Sequence, residues 1–144
     1  MGKINTGRVI LGGLVAGLVM NASEAFLHAG VLGADGAKLL EEWKRLGLEM
    51  DVNESLVFWL IGITFVLGIL AVWLYAAIRP RFGPGPKTAL CAGLAVWAMS
   101  YLYAGVYVDA GIVVFPTKLT WLPVFWGLVE VPLATLLGAW VYRE

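Results

Sequence analysis

The sequence predicts an all-α fold: a polytopic integral membrane protein with four transmembrane helices in an up-down bundle and one short interfacial amphipathic helix. Three observations carry this. Of 144 residues, 60% are hydrophobic and only 14% charged, against about 45–50% apolar and about 25% charged in a typical soluble domain. The apolar excess runs along the whole chain, at a mean hydropathy of +0.84. It also divides into four stretches of the roughly 20 residues that a spanning helix needs.

Those stretches are residues 8–31, 55–78, 88–108 and 119–142, together one membrane domain over 1–144. The first runs past Met20 without a small-x-small cleavage site, so it reads as a retained helix rather than a signal peptide. "RPRFGPGPK" (79–87) is dense in Pro and Gly and predicts a turn that cannot continue a helix. "DAGIVVFPTK" (109–118) is the other short link. The first connection holds "ADGAKLLEEWKRLGLEM", where Leu39, Trp43, Leu46 and Met50 repeat at helical spacing. Lys38, Glu41, Glu42, Lys44 and Arg45 fill its other side. This predicts an amphipathic helix over 36–50 on the membrane surface, with Asp35 as N-cap. A lid over a cavity mouth is the sharper alternative.

Orientation follows from the placement of Lys and Arg. With the N-terminus inside, Lys3, Arg8, Arg79, Arg81, Lys87 and Arg143 are cytoplasmic, and Lys38, Lys44, Arg45 and Lys118 lie outside. The excess, concentrated in the short 79–87 loop, predicts cytoplasmic N- and C-termini, in a bacterial inner (plasma) membrane.

Composition also excludes. One cysteine, Cys91, rules out an internal disulfide and any CxxC motif. One histidine, His28, rules out an intrachain bis-His haem and His-rich metal sites. With zero formal net charge and no basic run, nucleic acid is not an expected partner. The expected partners are the lipid bilayer and either further copies of the chain or the subunits of a membrane complex, because four short helices enclose little interior.

The chemistry concentrates on one stripe. Gly13, Gly17, Asn21, Glu24 and His28 fall within about 80° of each other around the first helix at 100° per residue. Gly13 and Gly17 form GxxxG, which lets membrane helices approach closely. Lipid offers Asn21 and Glu24 no hydrogen-bond partner, so this face should look into protein. Glu130 reaches a similar depth on the fourth span, as do Thr64 and Ser100 on the second and third. Tyr103 and Tyr107 share the face of Ser100 and lead outward to Asp109. Pro132, two residues after Glu130, removes the donor that the Leu128 carbonyl would use. These placements predict that Asn21 and Glu130 face one interior site, with Glu24 a turn outward. An unpaired carboxylate at the depth of Glu130 is strongly disfavoured, and protonation is the easiest relief.

The candidate ligand-binding or proton-carrying residues are therefore Asn21, Glu24, His28, Ser100, Tyr103 and Glu130, with Gly13, Gly17 and Pro132 shaping the helix packing. The blander reading of Asn21, Glu24 and Glu130 is hydrogen-bonded glue between helices. No nucleophile stands out, and no catalytic residue is assigned. Glu24 and His28, four apart, could offer two metal ligands, short of the three or four that zinc takes, so no metal is expected. No cofactor is expected either. The alternative is a haem or chlorophyll held axially by His28.

"AKLLEEWKRLG" and "WGLVEVPLATLLGAW" resemble segments of uncharacterised small bacterial membrane proteins grouped as a domain of unknown function. Those have about four helices, a Gly-rich first span and a Trp- and Lys-bearing connection; the resemblance implies the general plan and no site. In size and first-helix glutamate the chain is also similar to small multidrug transporters, whose loop pattern it does not share. The expected function is to bind or move a small solute or proton in a polar, carboxylate-containing cavity in the outer half of the bundle. The alternatives are an accessory or structural subunit of a larger membrane complex, and an intramembrane enzyme on a lipid-like substrate with Glu24 or Glu130 as acid or base.

Overall fold

The computed structural model describes residues 4–48, 54–111 and 115–142, and among these it is helical with no strand. Helix α1 is Thr6–Phe26, opened by Asn5, whose Oδ1 accepts from the Arg8 amide at 3.1 Å. It continues without a break into a π-helical segment, Leu27–Val31, where Leu32 N donates to Leu27 O at 2.9 Å, five residues back. Helix α2 is Gly33–Arg45, and α3 is Glu54–Phe82. Helix α4, Pro86–Trp97, passes through a second π-helical segment, Ala98–Leu102, into α5, Tyr103–Gly111. Helix α6 is Thr117–Val141. Four helices are long and apolar enough to cross a membrane: Thr6–Val31, Glu54–Phe82, Pro86–Gly111 and Thr117–Val141.

Small residues set the packing. Helices α1 and α4 each touch both α3 and α6, and α3 and α6 also touch one another. The buried core draws Ala16 and Met20 from α1, Ala71 and Val72 from α3, Ala92 from α4, and Val131 and Ala134 from α6. A Cβ on Gly13 would stand 2.4 Å from Ile69 Cα, and one on Gly68 would stand 2.5 Å from Gly13 O. Backbones of α1 and α3 therefore meet with no side chain between them, the arrangement that small-residue pairs permit. The adjacent Gly12 does the same toward α6, where an added Cβ would lie 2.4 Å from Gly138 O. One glycine doublet thus lets two neighbours approach α1 on different sides.

Three local expectations change. The 79–87 stretch does not stop the helix at its first proline. Pro80 lies inside the last turn of α3, which closes through Gly83 N donating to Arg79 O at 2.9 Å. The chain leaves the helix at Gly83, whose φ of 83° suits glycine. The amphipathic helix begins at Gly33 and ends at Arg45 rather than spanning 36–50, and Met50 lies outside the described residues. Asp35 is not its cap: Leu32 holds that position, because the chain arrives already helical from the π segment.

Asp35 instead pairs with Lys118 at the start of α6, Oδ2 to Nζ at 2.5 Å, and this tethers α2 to the end of the bundle. The lysine holds the Asp35 carboxyl below its ordinary value. A depressed carboxyl pKa contributes stability that is present above the ordinary value of 3.8 and lost as pH falls through the lowered one. Protection of the α2 amides, taken relative to intrinsic exchange at each pH, should therefore hold steady from neutral pH down to about the ordinary aspartate value and fall only below it. Lys118→Ala should lower that protection already at neutral pH and flatten its acid dependence, because Asp35 then has no partner to lose; a profile like that of wild type would show that the pair does not hold α2 down.

Candidate functional site

The site is assembled around Tyr101, inside the second π-helical segment, where Tyr103 N donates to Ala98 O. The wider turn breaks the register of an ordinary helix, and Tyr101 is turned toward α1 and α6. Gly127 makes room for it: a Cβ there would stand 2.7 Å from the Tyr101 ring. Trp97, four residues earlier, fastens the same helix to α6 by donating from Nε1 to Val124 O at 2.8 Å.

The Tyr101 hydroxyl donates to Oε1 of Glu24. On its other side, Oε1 of Glu130 lies 3.4 Å away. A hydroxyl has one proton to give, so one that donates to Glu24 can only accept from Glu130. The contact to Glu130 is a hydrogen bond in that state only when the Glu130 carboxyl carries a proton. Oε2 of Glu24 sits 3.1 Å from Nε2 of His28, which is 62% exposed while Glu24 is 22% exposed. Glu130 is only 6% exposed, and its Oε2 is buried with no hydrogen-bond partner among the described residues. Trp126 and Ser23 brace the α1–α6 contact next to it, Nε1 donating to Oγ at 2.8 Å, and Phe26 stacks on the Trp126 ring.

The two carboxyls open on different sides of α1. Glu24 lines a groove of about 630 Å³ between α1 and α3, with Asn21, His28, Thr64 and Phe65. Glu130 lines a second, of about 460 Å³, between α1 and α6, with Val19, Ser23 and Trp126. Tyr101 borders the first groove and reaches the acid of the second, so His28, Glu24, Tyr101 and Glu130 form one chain of polar contacts across the bundle.

The other candidates do not join this chain of contacts, although Asn21 lines the Glu24 groove. Asn21 faces α3, its Nδ2 donating to Gly17 O at 2.9 Å and Ile61 O at 3.4 Å. It does not share a site with Glu130, because α1 presents Asn21 and Ser23 to different neighbours. Ser100 donates to Val96 O on its own helix at 2.7 Å. Tyr103 is 70% exposed and stacks on Tyr107. Gly13 and Gly17 lie against Ile69 and Phe65, and Pro132 is buried where a Cβ on Gly93 would stand 2.6 Å from its Cα. Tyr101 is the residue that sequence reasoning missed. On a regular helix it points about 100° away from Ser100; the signal available was its i, i+4 spacing from Trp97. Among the described residues no group of three His, Cys, Asp or Glu side chains stands ready to hold a metal.

Fold and site together define a class: a helical bundle, four of whose helices are long and apolar enough to cross a membrane, with two acidic side chains meeting on one tyrosine. No family model, curated protein or solved structure matches the chain.

Proposed function

We propose that this is a small integral membrane protein, its four long helices inserted in up-down order, that binds or moves a small solute or proton at the Glu24–Tyr101–Glu130 site. The observation that carries the reading is the meeting of two carboxyls from different helices on one hydroxyl. A purely structural contact between helices is satisfied by one donor and one acceptor. Here the three oxygens are all paired only when the Glu130 carboxyl carries a proton, and Glu130 keeps a buried oxygen with no hydrogen-bond partner among the described residues. Intramembrane ionisable groups arranged this way commonly carry protons or contact ligands.

Proteoliposomes enclosing a pH-sensitive dye test it. With an imposed pH gradient, the wild-type protein should dissipate the gradient faster than lipid alone, and Glu24→Gln should return the rate to the lipid level. Equal rates for wild type and empty vesicles would remove proton movement from the proposal.

The orientation proposed has cytoplasmic termini, in a bacterial inner membrane, with α2 on the outer face. Its support is the basic 79–87 loop. In a Cys91→Ala background, cysteines introduced at Lys38 and Pro84 should label from opposite sides, the former from outside. An impermeant reagent reaching position 84 from outside would reverse the orientation.

A further inference from the structure

We propose that the groove between the start of α4 and the end of α6 binds an anionic phospholipid, with one acyl chain along the groove and the phosphate on the first turn of α4. The site uses none of Glu24, Tyr101 and Glu130, and requires only that the long helices lie in a bilayer. Four helix ends meet there. Asn5 N, at the start of α1, donates to the Tyr142 hydroxyl at 3.3 Å, and Gly85 N, ahead of α4, donates to the Tyr75 hydroxyl at 3.4 Å. The two phenol rings meet edge to face, and the Arg79 guanidinium lies 5.6 Å from the centre of the Tyr142 ring.

Tyr75, Ala89 and Tyr142, all buried, line a groove of about 500 Å³ together with Leu136, Leu137 and Trp140. Its walls are apolar, and they suit a hydrocarbon chain. Trp140 is 74% exposed, and tryptophan collects at the headgroup level of a bilayer. Gly85 and Pro86 line the same groove, so it reaches the first turn of α4. That turn is uncapped: Gly85 has no side chain to accept from it, and Pro86 has no amide proton. The Lys87 and Thr88 amides therefore lack an acceptor within the helix, at the positive end of its dipole, where a phosphate is favoured.

Charge selects the headgroup. Among the described residues this end of the bundle carries Arg8, Arg79, Arg81 and Lys87 and no acidic side chain. Basic residues beside a groove between membrane helices attract anionic headgroups. Phosphatidylglycerol brings one net negative charge. Phosphatidylcholine adds a quaternary cation that the same basic residues repel. A free phosphate would use the helix start alone and leave the apolar groove unfilled, so the lipid is the occupant that fits both parts.

Native mass spectrometry of the delipidated protein tests this, with equimolar palmitoyl-oleoyl phosphatidylglycerol and phosphatidylcholine added in detergent. Wild type should retain a single phosphatidylglycerol in preference to phosphatidylcholine by at least about fivefold, the effect of one neighbouring cation. Lys87→Gln, at an exposed side chain, should lower that ratio by about the same factor. Lys44→Gln makes an equal charge change on α2 and should leave the ratio as in wild type. Trp140→Ala removes a wall of the groove and should lower occupancy by both lipids without changing their ratio. Glycerol 3-phosphate in large excess should not displace the lipid. Equal retention of the two lipids by wild type overturns the anionic site. A loss in Lys44→Gln equal to that in Lys87→Gln overturns its location, and displacement by glycerol 3-phosphate overturns the acyl-chain groove. The vesicle experiment reads the Glu24–Tyr101–Glu130 site alone, so failure there and failure here are distinct results.

Discussion

Gly68→Leu is expected to abolish the folded bundle, whereas Gly62→Leu, six residues earlier on the same helix, should leave it intact. A Cβ on Gly68 would lie 2.5 Å from Gly13 O and 2.6 Å from Gly17 N. Both are backbone atoms of α1, so no rotamer change can clear them; the two helices must separate. Overpacking that side chains can absorb costs about 1–3 kcal/mol, and parting two helices along their glycine seam also loses close contacts on both sides. Against a typical total of about 5–15 kcal/mol, that is enough to lose the fold. Gly62 has nothing within 4 Å of its added Cβ, and leucine is the better helix former by about 1 kcal/mol. Size-exclusion profiles and thermal melts in detergent give the comparison. Similar melting temperatures for the two variants would mean that α1 and α3 do not meet on this seam.

Tyr101→Phe is expected to reduce proton movement in the vesicle assay by at least about tenfold while preserving the fold. The ring keeps its place against Gly127, so the substitution removes one oxygen and little packing. That oxygen contacts both Glu24 and Glu130. Without it, Glu24 loses a hydrogen bond to a charged group, worth about 1.5–3 kcal/mol, so a lower melting temperature accompanies the loss of transport. Tyr101→Ala would conflate the two effects by also leaving a cavity. Wild-type rates in Tyr101→Phe would show that protons do not pass through the hydroxyl, and would leave Glu24 and Glu130 acting separately in their own grooves.

As an exposed neighbour of Glu24, His28 sits at the open end of the polar chain, where it can exchange protons with water. In that role His28→Ala should slow proton entry in the vesicle assay.

Much of the helical organisation was legible before folding because it depends on local composition. Four long apolar runs are visible as such whatever they pack against, and the structure places helices over them, with no end more than four residues from where the runs put it. The Gly13 and Gly17 spacing marked a face on which two backbones could touch. Glu24 and His28, four residues apart on one helix, met as neighbours because that contact is intrahelical. Pro80 was misjudged for a local reason as well: near a helix terminus a missing donor costs less than in the interior, and the chain exits at Gly83 instead.

The sequence by itself determined the apolar spans, the acidic residues within them and the pairing of Glu24 with His28, since each depends on the chain's immediate neighbours. Only the tertiary structure decided that Glu24 and Glu130 meet through Tyr101, that Asn21 shares the groove of Glu24 but not that of Glu130, and that Tyr103 stands apart from both. Two π-helical segments, at Leu27–Val31 and Ala98–Leu102, break the regular 100° step on which any reading of helix faces depends. Which of three neighbours a face meets is then set by the glycine contacts of α1 with α3 on one side and α6 on the other. Neither the register shift nor the choice of neighbour is encoded in residue spacing, because both arise from packing between segments distant in sequence.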